Sequence, residues 1–219
     1  MSCFQQLTYR VLSVFLVTVA AVCTSSAAWA HNPVEVSAAV GYRFGGSGDV
    51  EHTDDSGAVA SSGRFVLAGA PSFSGTVGYR LKPNGFGFLT YSRQQTTMRY
   101  QAEGGAGDLS GRMAIEYYQL GGNLEKTHGI WVPYFGASVG LARFLSLGGA
   151  ADRVFFAAGL DGGLKVDVHR QVHLRLVGRL PLILTNKKLF CRDGQGCVNF
   201  DKFSPVVQGE IQIGAGVSF

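Results

Sequence analysis

The stretch Val206–Phe219, VVQGEIQIGAGVSF, sorts into two sets. Val207, Gly209, Ile211, Ile213, Ala215, Val217 and Phe219 share one parity; Gln208, Glu210, Gln212, Gly214, Gly216 and Ser218 share the other. Successive side chains of a strand point to opposite faces, so an extended chain here has one apolar face and one polar or small face. A helical period would mix the two sets. The segment reads as a strand.

The alternation repeats upstream. In VHLRLVGRLPLILT, Val172, Leu174, Leu176, Leu180, Leu182 and Leu184 oppose His173, Arg175 and Arg179. In VEVSAAVGYRF, Val34, Val36, Ala38, Val40, Tyr42 and Phe44 oppose Glu35, Ser37, Ala39, Gly41 and Arg43. A second strand sets Phe65, Leu67, Phe73, Val77, Tyr79 and Leu81 against Arg64, Ser72, Ser74, Thr76 and Arg80. A sixth sets Val154, Phe156, Ala158, Leu160, Leu164, Val166 and Val168 against Asp161, Lys165 and Asp167. Residues 130–146 place Trp131, Phe135, Ala137, Val139 and Leu141 on one face. Three strands, 85–100, 113–125 and this one at 130–146, are less regular. FGF followed by LTY within 85–100 suggests a slipped parity and a β-bulge. Glu116 shares the parity of Tyr118, Leu120 and Leu124, so either a bulge intervenes or Glu116 lies beyond the apolar band.

These make eight candidate strands. Short connections (Lys82 to Asn84, Lys126 to Gly129, His169 to Gln171) alternate with long polar ones at 47–63, 101–112 and 186–204, and a medium one at 147–152. Short turns at one end and long loops at the other is the pattern of an outer-membrane barrel with its loops outside and both termini periplasmic. A soluble lipocalin-like barrel also alternates, with its apolar face inward. Loop asymmetry and the terminal aromatic favour the all-β, eight-stranded, antiparallel up-and-down transmembrane barrel.

Composition agrees. Of 219 residues, 31 are Gly and only 6 Pro, 46% are hydrophobic, 11% aromatic and 16% charged. The charged share is below the quarter or so usual in soluble proteins. The net charge of +4 comes without a basic cluster interleaved with aromatics, which argues against a nucleic-acid partner. Residues 1–30 read as a cleaved signal peptide: Arg10, the apolar run VLSVFLVTVAAV at 11–22, and Ala28-Trp29-Ala30 as the cleavage pattern. Residues 31–219 then form the barrel domain. Cleavage removes Cys3 and Cys23. The remaining pair, Cys191 and Cys197, is expected to form one disulfide in an oxidising compartment.

The segment EIQIGAGVSF resembles the outer-membrane assembly signal, in which an aromatic last residue follows apolar residues at alternating positions. Phe219, Val217, Ala215, Ile213 and Ile211 carry it here. The chain from about 34 to 219 resembles the eight-stranded outer-membrane barrels that include the OmpA transmembrane domain, OmpX and the opacity proteins. No family-specific loop motif is present, and the chain stops at the barrel's last strand, without a peptidoglycan-binding domain of the OmpA type. The resemblance implies an outer-membrane location, assembly by the barrel-assembly machinery, contact with outer-membrane lipid and lipopolysaccharide, and a structural or surface role, such as adhesion or envelope integrity, with a host or envelope ligand at the loops. It does not carry over a ligand.

The polar parity predicts an interior charge network of Glu35, Arg43, Arg80, Asp161, Lys165, Asp167, His173, Arg175, Arg179 and Glu210. A barrel of eight strands is only wide enough to be filled by side chains, so these charges must pair. The alternative is a narrow ion channel. A second alternative, a lipid A-modifying enzyme, needs a hydroxyl and a base within reach of each other on the outer rim. None of His31, His52, His128, His169 and His173 forms an H-x-S pairing with an outward-facing Ser, and neither H-E-x-x-H nor G-x-S-x-G occurs. No catalytic residue, cofactor or metal site is predicted. Asp49, Glu51, Asp54 and Asp55 form a solvated acidic loop rather than an EF-hand. Lys187, Lys188, Arg192 and Lys202 place a basic rim around the two cysteines. Tyr42, Phe44, Tyr79, Trp131, Tyr134 and Phe219 are expected in the interfacial aromatic girdles.

Overall fold

The computed structural model describes residues 33–53, 59–102, 109–146, 152–185, 188–192, 196–200 and 204–219. The signal-peptide reading of residues 1–30 falls outside them. The described strands are β1 (Val34–Phe44), β2 (Ser47–Thr53), β3 (Val59–Leu67), β4 (Ala70–Lys82), β5 (Gly85–Ala102), β6 (Leu109–Glu125), β7 (Trp131–Ser146), β8 (Arg153–Asp167), β9 (Val172–Thr185), β10 (Lys188–Arg192), β11 (Gly196–Phe200), β12 (Ser204–Val207) and β13 (Gly209–Ser218).

Eight staves close the barrel. β1 pairs with β4, β4 with β5, and each following stave with the next through β9; β13 then pairs with both β9 and β1, all antiparallel. Phe219 N donates to Val34 O at 2.9 Å and Val34 N to Phe219 O at 3.3 Å, so the seam is hydrogen-bonded to its last residue. Closure leaves no edge strand within the wall, which is the condition for a sheet to cross a bilayer.

The faces are inverted relative to a soluble barrel. Val40 (60% exposed), Leu120 (65%) and Ile213 (64%) stand outward with Phe73, Phe135 and Leu174. Glu35, Arg43, Gln94, Gln119, Asp161, Arg175 and Glu210 are buried inside. An aliphatic wall around a polar interior is stable where the surroundings are apolar, so this is a transmembrane barrel and the lipocalin-like alternative fails.

At one end, the turn end, connections are tight. His128 and Trp131 exchange backbone hydrogen bonds of 2.8 and 3.1 Å around Gly129-Ile130, and Gly129 supplies the left-handed φ of 63° that the turn requires. His169 and Val172 close a similar two-residue turn. At the opposite, loop end, the sheet outgrows the closed wall. β2 pairs with β3, β3 with β5, β11 with both β10 and β2, and β12 with β9. The expected loops at 47–63 and 186–204 therefore contain strands. These segments are too short to show a sustained alternation in sequence, but adjacent staves leave backbone donors and acceptors that the neighbouring segments satisfy.

Several parity expectations change. Phe65 and Leu67 do not share the outward face of Phe73; both point inward, at 0% and 1% exposure, because Ala68 and Gly69 interrupt the strand and reverse its parity before Ala70. The slip expected within 85–100 is absent. β5 pairs with β6 without a break from Gly85 to Tyr100, and the register shift lies instead on β4, between Arg80 and Lys82. Phe86 and Phe88 are simply interior aromatics. They fit because the facing positions are bare: a Cβ on Gly78 would stand 2.1 Å from the Phe86 ring. Glu116 faces outward with no bulge in either of its ladders. Tyr134 is 6% exposed and points inward, so it leaves the girdle, whereas Tyr42, Phe44, Tyr79 and Trp131 are exposed on the outer face and Phe219 is half-buried.

Candidate functional site

The interior is layered. Nearest the turn end, Lys165 Nζ donates to Glu35 Oε2 at 2.7 Å and to Glu125 Oε1 at 2.5 Å. Arg175 reaches Glu35 Oε1 at 3.2 Å and Ser37 Oγ at 2.6 Å, and His173 Nε2 lies 3.3 Å from the same Glu35 oxygen. Adjacent inward positions on β1, β8 and β9 create this cluster: Lys165 and Arg175 are cross-strand partners, and so are Asp167 and His173. Lys165 also rides over the Phe86 ring, 4.3 Å from its centroid.

One layer further in, Arg179 Nε donates to Asp161 Oδ1 at 2.6 Å, across a pair set directly by strand register, and Ser138 caps the other oxygen at 3.0 Å. Above it, Arg43 Nη2 bonds Glu210 Oε1 and Oε2 at 2.9 and 3.0 Å and Ser92 Oγ at 2.9 Å, while its guanidinium lies 4.5 Å from the Tyr117 ring centroid. Arg43 and Glu210 are register partners of the closing seam. Gln212 ties Glu210 to Ser72 and Ser74. Tyr117 donates to Gln208 at 2.7 Å. Towards the loop end the polar layers give way to an apolar plug including Phe65, Leu67, Met113, Ile115, Phe144 and Phe155.

Among the described residues facing the lumen, four buried cations (Arg43, Lys165, Arg175, Arg179) stand against four buried carboxylates (Glu35, Glu125, Asp161, Glu210); the fifth buried carboxylate, Glu116, faces the outer wall. These eight charges cancel, as a dehydrated lumen demands. The remaining sequence-predicted members lie at the rim: Arg80, 33% exposed, reaches Glu125 at 3.1 Å, and Asp167 is exposed. Glu125 joins the network although the strand pattern did not single it out; its parity with Asn123 and Gln119 on β6 was the available signal.

Two spaces remain. A vestibule of about 440 Å³ opens at the turn end, lined by Glu35, Arg80, Glu125, Lys165, Asp167 and His173 among others. Beyond it, a cavity of about 10 Å³ lies between Asp161, Arg175 and Arg179, room for no more than a single water. The vestibule thus ends on the Lys165 ion pairs, with the apolar plug closing the far end.

On the outer wall, Glu116 accepts from Arg93 at 3.0 Å and from the hydroxyls of Tyr91 and Tyr118, both at 3.1 Å. Arg143, its partner on β7, pairs with Asp152 at 2.8 Å. This outward charge is therefore neutralised and bonded where the aliphatic band gives way to polar residues. No group of three His, Cys, Asp or Glu side chains among the described residues is placed to hold a metal.

No family model matches the chain, and no curated sequence matches it. Solved structures do. Neisserial surface protein A is 19% identical with a TM-score of 0.52, the match covering 85% of this chain and 97% of that one. The outer membrane protein AlkL, determined by solid-state NMR in DMPC bilayers, is 13% identical with a TM-score of 0.54 over 89% and 94% of the two chains. The chain has the fold of the small eight-stranded outer-membrane barrels.

Proposed function

We propose that this protein is a non-catalytic bacterial outer-membrane barrel whose role, structural or surface-interactive, is exerted at its loop end. In this reading it is exported by its N-terminal signal and folded by the barrel-assembly machinery. The turn end and both termini lie in the periplasm, and β2, β3, β10 and β11 face outward from the cell. The observation that carries the reading is the pairing of an aliphatic exterior with a charge-balanced, filled interior. The exterior suits lipid, and among the described residues the ion pairs and the apolar plug fill the interior, which supports a role at the surface. The fold shared with Neisserial surface protein A and AlkL supports the location.

Envelope fractionation followed by electrophoresis with and without boiling tests this reading. The protein is expected in the outer-membrane fraction, with a mobility that changes on heating. In a planar bilayer the purified barrel is expected to give no steady conductance; a stable unitary current would replace the surface role with a pore. Recovery of soluble protein from the periplasm would overturn the reading altogether.

The same reading places Cys191 and Cys197 in an oxidising compartment. They are directly opposed on the β10–β11 hairpin, and the Cα separation of such a pair, about 4.5–5.5 Å, suits a disulfide. Alkylation of protein unfolded without reductant is expected to modify neither; labelling of both would show that the staple is absent.

A further inference from the structure

The vestibule at the turn end, about 440 Å³ in volume, plays no part in the role proposed above. Seven ionisable side chains line it. Five are tied into the interior network: Lys165 bonds Glu35 and Glu125, Arg80 reaches Glu125, and His173 lies beside Glu35. The other two, Lys82 and Asp167, are exposed at its mouth, and among the described residues neither has an oppositely charged side chain within ion-pair distance. Deeper on the wall, Glu125 Oε2 and His173 Nε2 are buried without a hydrogen bond among the described residues, although Arg80 and Glu35 stand 3.1 and 3.3 Å away. Polar atoms in that state keep bonding capacity that a ligand can use.

Topology sets the two free charges against each other. Lys82 ends β4 and Asp167 ends β8. Around the closed wall, β5, β6 and β7 separate these staves on one side, and β1, β13 and β9 on the other. The mouth therefore has a cationic lip and, diametrically opposite, an anionic one. A wall of eight staves about 4.8 Å apart and tilted near 40° is about 16 Å across. One or two extended residues at about 3.5 Å each, with a hydrogen bond of about 2.8 Å at either end, span about 9–13 Å. The side chains of Lys82 and Asp167 cover the rest. A bare anion or a bare cation of that size would meet a repelling charge at the far lip, whereas a molecule carrying both charges is attracted at both.

We propose that the vestibule binds a small zwitterion, an amino acid or dipeptide with free ends, whose carboxylate is held by Lys82 on β4 and whose ammonium is held by Asp167 on β8. The site belongs to the closed barrel itself; that it meets periplasmic solutes rests on the outer-membrane reading above. The headgroup of a zwitterionic phospholipid shares the paired charges. It fits less well, because the vestibule is ringed by the staves and opens at their end, whereas lipid packs against the outer wall.

The full barrel, folded in a non-ionic maltoside detergent and checked by its heat-dependent mobility shift, tests the proposal by titration with alanylalanine while its amide NMR signals are followed. Saturable shifts are expected around Lys82, Thr127, Val132 and Asp167. N-acetyl-alanylalanine and alanylalanine amide should each bind on the order of tenfold more weakly, since each lacks one charged partner. K82M and D167N should each weaken the free dipeptide to a similar degree. The diagnostic result is crossed: D167N should leave binding of the N-acetylated peptide unchanged, and K82M that of the amide, which a merely structural role for either residue would not produce. Absence of saturable shifts, equal binding of the free and blocked peptides, or loss of the crossed pattern would overturn the site. Tighter binding of glycerophosphoethanolamine than of alanylalanine would reassign the vestibule to a lipid headgroup. A wild-type chain without the heat-dependent shift would remove the closed mouth and the site with it. Envelope fractionation tests the location separately, so the site and the outer-membrane reading can fail independently.

Discussion

Arg43→Ala is expected to destabilise the barrel by about 3–5 kcal/mol, because it strands a buried carboxylate. The Arg43 and Glu210 side chains are each 0% exposed, and Arg43 supplies two contacts to Glu210, a third to Ser92 and a face for the Tyr117 ring. Once it is removed, Glu210 keeps, among the described residues, Gln212 at 3.0 Å and a longer approach from Arg179 at 3.5 Å. The pair also sits on the β1–β13 seam, so the loss falls where the first and last staves meet. Equilibrium urea unfolding in lipid vesicles measures the effect. Removing both charges with R43M/E210L should recover much of the loss, since a well-packed apolar pair avoids the desolvation that a lone ion suffers. A single variant as stable as wild type would mean that the lumen is hydrated and the pair is not structural, which would reopen the pore.

Val40→Arg is expected to cost about 2–4 kcal/mol in the same assay, the depth-dependent cost of a cation on the lipid face near the bilayer midplane. Val40 is 60% exposed, six residues from the start of β1 and four from its end, and is paired with Ile213 on one side and Phe73 on the other. In a soluble barrel an exposed arginine there would change stability by no more than about 0.5 kcal/mol. Gln101→Arg, on the outer face of β5 beyond the band, is the control and is expected to be close to neutral. Equal behaviour of the two variants would refute the lipid-facing assignment of the wall.

Alternation in 172–185 and 206–219, with the rhythm of short and long connections, was enough to read an eight-stranded antiparallel barrel. Strand parity is a local property of the backbone, visible wherever one face meets lipid. It failed where the strand is too short or too polar to show a period: Ser47–Thr53 has a single apolar residue, Val50, and Gly196–Phe200 runs for only five residues, yet the two pair with each other. It also failed across Ala68-Gly69, where two small residues reverse the parity without leaving a signature.

The site divides in the same way. That Glu35, Arg43, Asp161, Lys165, Arg175, Arg179 and Glu210 share the polar parity can be read from residue order alone. Their partners cannot. Arg43 meets Glu210 across 167 positions of chain, and Lys165 meets Glu35 across 130, because closure of the sheet and its stagger select the pairs. Glu125 joined the cluster, and Glu116 found Arg93 on the outer wall, for the same reason. The sequence by itself determined the alternation, the number of staves and the end at which the long connections lie, all set by neighbouring residues. Only the tertiary structure decided which face turns inward and which charges neutralise one another, because those depend on ring closure and register, which no single strand contains.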